Sequence, residues 1–305
     1  MKTSLFTTLA TLLLTGWAGM AAELGMAAPP LAIHQWVKGA KVDLAADQGK
    51  KIHVIEFWAT WCVPCRESIP HLTEMQKKFK GKVVFIGVSS EEESEVKPFV
   101  KKLGGKMDYT VAVDEDNKTN DAYLKAFGID GIPHAFVVDK DGRIVWEGHP
   151  MGGLERTLTL MLDGKYDLAS GKRAKAAEKL FDEYFDLVTE EKLDPKAKEL
   201  GDKLVVDGVG NPHLLESLAW TILTHESVKH RDLPLALRAA KAAVDVYEGK
   251  HADSLDTYAK ALSENGRVSE AIEVEKKAIS LSDEPEEKAE MKKRLAEYQK
   301  KKPAK

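Results

Sequence analysis

The hydrophobic pattern of the first half of the chain changes repeatedly between strand-like and helix-like segments. Short apolar runs rich in β-branched residues predict buried strands, and apolar positions at a helical spacing predict helices. The predicted strands are 33–37, 41–44, 52–59, 83–88, 109–113, 135–138 and 144–146. The predicted helices are 65–80, 95–103, 119–127 and 154–162. This alternation predicts an α/β fold for the first part of the protein.

Turn and capping residues predict how some of these elements are joined. Asp139-Lys140-Asp141-Gly142 lies between the last two strands, and an Asp-Gly pair tolerates the positive φ angles of a tight hairpin turn. A second hairpin is expected across Gly39, between 33–37 and 41–44. Ser94 is expected to cap the helix 95–103.

Beyond Gly171 the pattern becomes helical throughout and contains an internal repeat. Ala236-Leu237 and Ala243-Val244 recur as Ala271-Ile272 and Ala278-Ile279. The second copy resembles a tetratricopeptide repeat in the order of its large, small and turn residues. The residues that carry this resemblance are Leu255, Ala259, Leu262, Gly266, Ala271 and Ala278. We expect an all-α helical-repeat domain over 172–305, with 286–300 as a polar capping helix, and an ordinary helical bundle is the alternative.

The N-terminal residues are typical of an export signal. Lys2 is followed by an apolar stretch over 5–17 and by the small-residue run Gly19-Met20-Ala21-Ala22. The sequence therefore predicts a signal peptide over 1–22, with an uncleaved membrane anchor as the alternative. Both interpretations place the rest of the chain in the periplasm or otherwise outside the cytoplasm.

Length and charge limit the functional classes. A chain of 305 residues favours two domains. Lys and Arg number 45 and Asp and Glu 49, so the net charge is −4 and gives no support for a nucleic-acid partner. The chain has only two cysteines, Cys62 and Cys65, so all its sulfur redox chemistry must occur at this pair.

The spacing of the two cysteines suits thiol chemistry. A Cys-x-x-Cys turn at the start of a helix places Cys62 beside unpaired backbone N–H groups, which favour the nucleophilic thiolate. Cys65, one turn further into the helix, would be shielded and would resolve the mixed disulfide. Pro64 fits the first helical turn, where its missing N–H has no helical partner.

Trp61-Cys62-Val63-Pro64-Cys65 after a strand resembles the extracytoplasmic thioredoxin-like oxidoreductases of the TlpA/ResA type. This resemblance covers about half the chain and implies a thioredoxin-like domain over 29–165, with a central mixed sheet flanked by helices. It further implies that Glu56 exchanges a proton with Cys65. It also implies that Ile132-Pro133 forms a cis-proline loop that binds substrate backbone.

Two of these positions have alternative interpretations. Glu56 is instead a structural acid if Lys51 or Lys82 pairs with it, whereas burial in an apolar strand would raise its pKa and suit proton transfer. His134 departs from the family pattern after the cis-proline. It either senses pH near the sulfurs or points away from them. The cysteines lack the spacing of a haem or zinc site, so neither a metal nor a cofactor other than the redox-active disulfide is expected.

The sequence therefore favours an exported thiol-disulfide oxidoreductase that reduces protein disulfides. Its expected partners are exported proteins with disulfides, a membrane-linked electron donor and a protein partner on the helical repeats. The expected catalytic residues are Cys62, Cys65, Glu56 and Pro133, and the expected substrate-binding residues are Trp61, Val63, Pro64 and Ile132. The alternative is an adaptor whose helical repeats bind a partner while the thioredoxin-like domain is secondary.

Overall fold

The computed structural model describes residues 22–190 and 194–301. The described residues exclude the predicted signal peptide apart from Ala22. They also exclude the last four residues, 302–305. No helix in these two ranges has both the length and the apolar character needed to cross a membrane.

A six-stranded mixed sheet forms the centre of the first unit. Its strands are β1 (Ile33–Lys38), β2 (Ile52–Phe57), β3 (Val83–Ser89), β4 (Thr110–Asp114), β5 (His134–Val138) and β6 (Ile144–Gly148). They lie in the order β1-β4-β3-β2-β5-β6. The neighbours β2/β3 and β3/β4 are parallel, and the other pairs are antiparallel. The helices of this unit are α1 (Val63–Lys78), α2 (Glu93–Leu103), α3 (Lys118–Asn120), which continues into a π turn at Asp121–Lys125, and α4 (Leu154–Leu162). The expected mixed sheet flanked by helices is confirmed.

Two predictions about local structure are wrong. Residues 41–44 form no strand, so there is no hairpin across Gly39, and β1 pairs instead with β4 at the edge of the sheet. The pairing of β1 is thus settled by a distant strand rather than by the nearest turn. Ser94 does not cap α2, because the helix begins at Glu93 with Glu92 at its N-cap and no side-chain cap bond. The β5–β6 hairpin is confirmed, with Gly142 at φ 78°.

The sheet separates two hydrophobic cores. One face packs against α1, α2 and α4, and its buried side chains include Ile69, Val96 and Leu154. The other face carries Phe57 and Phe136 and packs against the π turn. Side chains alternate between the faces along each strand, so the register of β2 and β5 decides which polar groups lie on the α1 side.

The second unit is all-helical, as predicted. Its helices are α5 (Leu168–Thr189), α6 (Pro195–Asp207), α7 (Pro212–Thr224), α8 (Leu233–Val246), α9 (Ala252–Glu264), α10 (Val268–Leu281) and α11 (Pro285–Lys301). Sequential helices pack on one another except for α6 and α7, since α6 packs on α5 and α8 instead. Alanines at 0% exposure such as Ala236 and Ala271 let neighbouring helices approach closely. Both alanines belong to the internal repeat that was identified in the sequence.

The two units are in direct contact through β6 and α5. The hydroxyl of Tyr166, just before α5, donates a hydrogen bond to the carbonyl of Val145 on β6 at 2.5 Å. The side chain of Asp167 caps α5 by accepting from the N–H groups of Ala169 and Ser170. The first turns of α5 are therefore held against the edge of the sheet.

Candidate functional site

The two cysteines form a disulfide at the N-terminus of α1. Cys62 is the N-cap residue and Cys65 lies in the first turn, with their Cα atoms 5.3 Å apart. The N–H of Cys65 points at Sγ of Cys62, 3.2 Å away. Because this N–H and the helix dipole both favour negative charge, the same arrangement stabilises a thiolate at Cys62 once the disulfide is reduced.

The two sulfurs differ in their access to solvent. Cys62 is 4% exposed, whereas Cys65 is fully buried. The flanking residues Trp61 and Val63 are 70% and 53% exposed, so an apolar surface surrounds the edge of Cys62. An incoming disulfide can therefore reach only Cys62 without rearrangement of the helix.

The proline loop lies opposite this edge, where the resemblance placed it. The peptide bond between Ile132 and Pro133 is cis, and Pro133 is buried. The carbonyl oxygen of Ile132 lies 3.7 Å from Sγ of Cys62. The proline loop therefore lies directly beside the sulfur of Cys62.

Glu56 is a buried acid that has no counter-ion in the part of the chain that the structure describes. It is 1% exposed, and burial raises its pKa to about 8 from the ordinary 4.5. Among the described residues its carboxylate oxygens have no hydrogen-bond partner. The ion-pair alternative is not realised, since Lys51 pairs with Asp47 at 3.5 Å and no contact with Lys82 is present in the described ranges.

The register of β2 turns Glu56 towards the cysteine side of the sheet. Glu56 pairs with Ala135 of β5, and Ala135 belongs to the core that also contains Cys65. A Cβ placed on Gly87 of the neighbouring strand would lie 3.2 Å from Oε2 of Glu56 and 3.0 Å from Nε1 of Trp58. Glycine at position 87 therefore leaves room for the carboxyl group.

Glu91 supports the turn before Cys62, a role that the sequence reasoning missed. One carboxylate oxygen of Glu91 accepts from the N–H of Thr60 at 2.6 Å, and the other accepts from its hydroxyl at 2.7 Å. The order of the strands could have revealed this contact. Because β2 and β3 are adjacent and parallel, the residues just after them lie at the same edge of the sheet.

His134 points away from the sulfurs. It is paired with Phe57 on β2, and its ring packs against Phe136 at a centroid distance of 5.3 Å. Both phenylalanines belong to the core on the face opposite α1. Of the two interpretations left open for His134, the geometry therefore favours orientation away from the cleft.

Comparisons with known proteins relate the first part of this chain to thiol-disulfide oxidoreductases. Residues 23–152 match the Redoxin family. Thiol-disulfide oxidoreductase ResA of Bacillus thuringiensis subsp. konkukian is 33% identical over 127 residues, covering 41% of this chain and 69% of that protein. Protein FixW of Rhizobium leguminosarum is 31% identical over 160 residues, covering 50% of this chain and 71% of that protein. The solution structure of a thiol:disulfide interchange protein from Bacteroides sp. matches with a TM-score of 0.40 and 25% identity, covering 48% of this chain and 95% of that one.

Proposed function

Because this chain belongs to the ResA-type thiol-disulfide oxidoreductases, we propose that it reduces disulfides of exported proteins through Cys62 and Cys65. The observation that carries the proposal is the arrangement of the two sulfurs. Cys62 is 4% exposed and lies 3.7 Å from the carbonyl oxygen of Ile132, next to the exposed Trp61 and Val63, whereas Cys65 is fully buried. One sulfur can attack a substrate while the other is reserved for resolution.

The first step is attack by Cys62. In the reduced protein the Cys62 thiolate attacks one sulfur of a substrate disulfide, and the substrate S–S bond breaks as a Cys62–substrate disulfide forms. The second substrate sulfur leaves as a thiolate and takes a proton from water. Trp61, Val63, Pro64 and Ile132 hold the substrate at this edge, and Pro133 presents its backbone to the sulfur.

The second step releases the substrate and needs a base. The carboxylate form of Glu56 accepts the proton of the Cys65 thiol, and the Cys65 sulfur attacks Sγ of Cys62. The mixed disulfide breaks, the substrate leaves as its second thiolate, and the Cys62–Cys65 disulfide forms. Two electrons have then passed from the protein to the substrate. When a donor reduces the pair again, Glu56 returns the proton to Cys65.

The direction of electron flow rests on the residues between the cysteines. Val63 and Pro64 supply no charge or hydrogen bond that would stabilise the thiolate strongly, so the pair is expected to be reducing. We expect a reduction potential near the thioredoxin value of about −270 mV in a glutathione or dithiothreitol redox titration. A potential near the value of about −120 mV found for strong oxidants would reject a reducing role.

Trapping tests the reaction itself. The Cys65→Ser variant retains the attacking sulfur but cannot resolve, so it should accumulate mixed disulfides with exported proteins. The matched Cys62→Ser variant should trap none, because Cys65 is inaccessible. No trapped species with Cys65→Ser would favour the adaptor alternative, in which the first domain has no catalytic role.

We propose an extracytoplasmic location and a membrane-linked electron donor. The support is the export-signal pattern over 1–22 together with a disulfide chemistry that suits an oxidising compartment. Fusion of the first 30 residues to a reporter that is active only outside the cytoplasm tests the location.

The helical unit is proposed to bind a protein partner of the same pathway. Its support is an open groove of about 760 Å³ that is lined in part by Trp220, which is 37% exposed, and by Arg294, whose guanidinium lies 5.9 Å from the Trp220 ring centroid. Trp220→Ala should leave the reduction of oxidised insulin unchanged and should lower the yield of mixed disulfides with native exported proteins. An unchanged yield would reject this role of the groove.

A further inference from the structure

A chain of charged groups joins the proline loop to the helical unit. His134 follows Pro133 directly and begins β5. Its Nε2 lies 2.5 Å from Oε2 of Glu147 on β6. The other carboxylate oxygen of Glu147 lies 2.6 Å from Nζ of Lys175 on α5, so the ion pair crosses from one unit to the other.

Glu147 depends on these two partners because it is almost completely buried. Its side chain is 1% exposed. Burial alone would raise the pKa of Glu147, but the bond to His134 and the charge of Lys175 outweigh it and lower the pKa below the ordinary value. A buried carboxylate that loses a charged partner is destabilised, since its own burial limits how well water can solvate the remaining charge. The positions of Lys175 and His134 are therefore linked through Glu147.

The helical unit in turn holds Lys175. Nζ of Lys175 lies 2.6 Å from Oε2 of Glu178, one turn further along α5. The other oxygen of Glu178 accepts a hydrogen bond from Nδ2 of Asn211 at 3.2 Å, and Asn211 caps α7. The ammonium group is thus placed by two helices that lie outside the catalytic domain.

We propose that Lys175 is a positioning residue for the substrate-binding loop and acts on Pro133 through Glu147 and His134. The helical unit then contributes to substrate binding without touching the substrate. This inference rests on the proposed function of Pro133 at the Cys62 site. It assigns to α5 a role in substrate binding that is separate from any partner bound by the groove at Trp220.

Removal of the ammonium group should weaken binding more than chemistry. Without Lys175, His134 is the one partner that the buried Glu147 carboxylate keeps among the described residues. The start of β5 and the adjoining proline loop must then adjust. The sulfurs and Glu56 lie on the other side of the sheet and keep their surroundings. We expect the substrate concentration that gives half the maximal rate to rise by about 2- to 30-fold, the range found for substitutions within such networks. The limiting rate should change little.

The experiment uses the full-length reduced protein and oxidised insulin under single-turnover conditions. Tryptophan fluorescence follows formation of the Cys62–Cys65 disulfide as a function of insulin concentration. Lys175→Met should raise the half-saturating concentration, and Lys175→Arg should restore it because it keeps the positive charge. Lys179→Met, at an exposed position on the same helix, is the matched control and should match the wild type.

The same measurement in a Glu147→Gln protein shows whether Lys175 acts through Glu147. It also keeps the inference testable if the single variant Lys175→Met does not fold. In the Glu147→Gln background the buried charge is gone, so Lys175→Met should have no further effect on half-saturation. An equal rise in both backgrounds, or wild-type binding by Lys175→Met, would overturn the inference. If the wild-type protein itself fails to reduce insulin, the proposed function fails instead, so the two failures are distinguishable.

Discussion

Glu56→Gln tests whether the buried acid is protonated at neutral pH. The substitution keeps the shape of the side chain and removes its ability to ionise. Glu56 is completely buried and has a folded pKa of about 8, against the ordinary value of 4.5 that applies when the chain is unfolded. The folded protein therefore holds a proton on Glu56 between these two pH values, whereas the unfolded chain releases it.

The size and sign of the effect follow from this difference. A raised pKa gives stability that is fully present below pH 4.5 and is lost as the pH rises through about 8. At about 1.4 kcal/mol for each pKa unit, the wild type should lose about 5 kcal/mol of unfolding free energy across this range. Glu56→Gln should lose none of this amount, so the variant should be more stable than the wild type by several kcal/mol at pH 8 and nearly equal to it at pH 4.5.

Urea unfolding of the oxidised proteins at several pH values between 4.5 and 8.5 measures this difference. Oxidised protein is used because its sulfurs do not titrate. Glu67→Gln, at an exposed position on α1, is the control and should follow the wild type at every pH. Parallel stability curves for the wild type and Glu56→Gln would refute the reasoning, since they would mean that Glu56 ionises as readily in the folded protein as in the unfolded chain.

Three further substitutions test particular contacts. Gly87→Ala should lower the unfolding free energy, measured with denaturant, by about 1–3 kcal/mol, because its Cβ would lie 3.0 Å from Nε1 of Trp58 and from Cε2 of Tyr109. Gly105→Ala is the control and should lower it far less, because a Cβ there meets nothing within 4 Å. Glu91→Ala should lower kcat/KM for insulin reduction by up to about 100-fold, because the turn before Cys62 loses its two hydrogen bonds to Glu91. Glu92 is the exposed neighbour, and Glu92→Ala should leave kcat/KM unchanged. Arg294→Met should lower the unfolding free energy by about 3–5 kcal/mol. The reason is that Arg294 donates two 2.7 Å hydrogen bonds to Asp256, whose side chain is only 9% exposed. A loss below about 1 kcal/mol would show that Asp256 does not depend on this pair. The exposed pair of Arg267 and Glu270 is the control, and Arg267→Met should lower the unfolding free energy far less than Arg294→Met does.

The sequence by itself determined the elements and the chemistry that depend on neighbouring residues. The strand before Cys62, the helix after it and the Asp-Gly turn of the β5–β6 hairpin are local patterns of hydrophobicity and backbone preference. The internal repeat likewise indicated the all-helical second unit, since small residues at a regular spacing predict close helix packing. Cys62 and Cys65 had to be the redox pair because the chain has no other cysteine.

Only the tertiary structure decided which distant groups meet. The sequence offered Lys51 and Lys82 as partners for Glu56, and neither is among its contacts, because the register of β2 turns the acid into the core beneath α1. It offered 41–44 as a partner for β1, but the sheet order places β4 there. The ion pair of Glu147 with Lys175 arises because α5 packs against the edge strand β6. Contacts of this kind depend on strand order, register and packing between units, and hydrophobic periodicity along the chain carries no information about them.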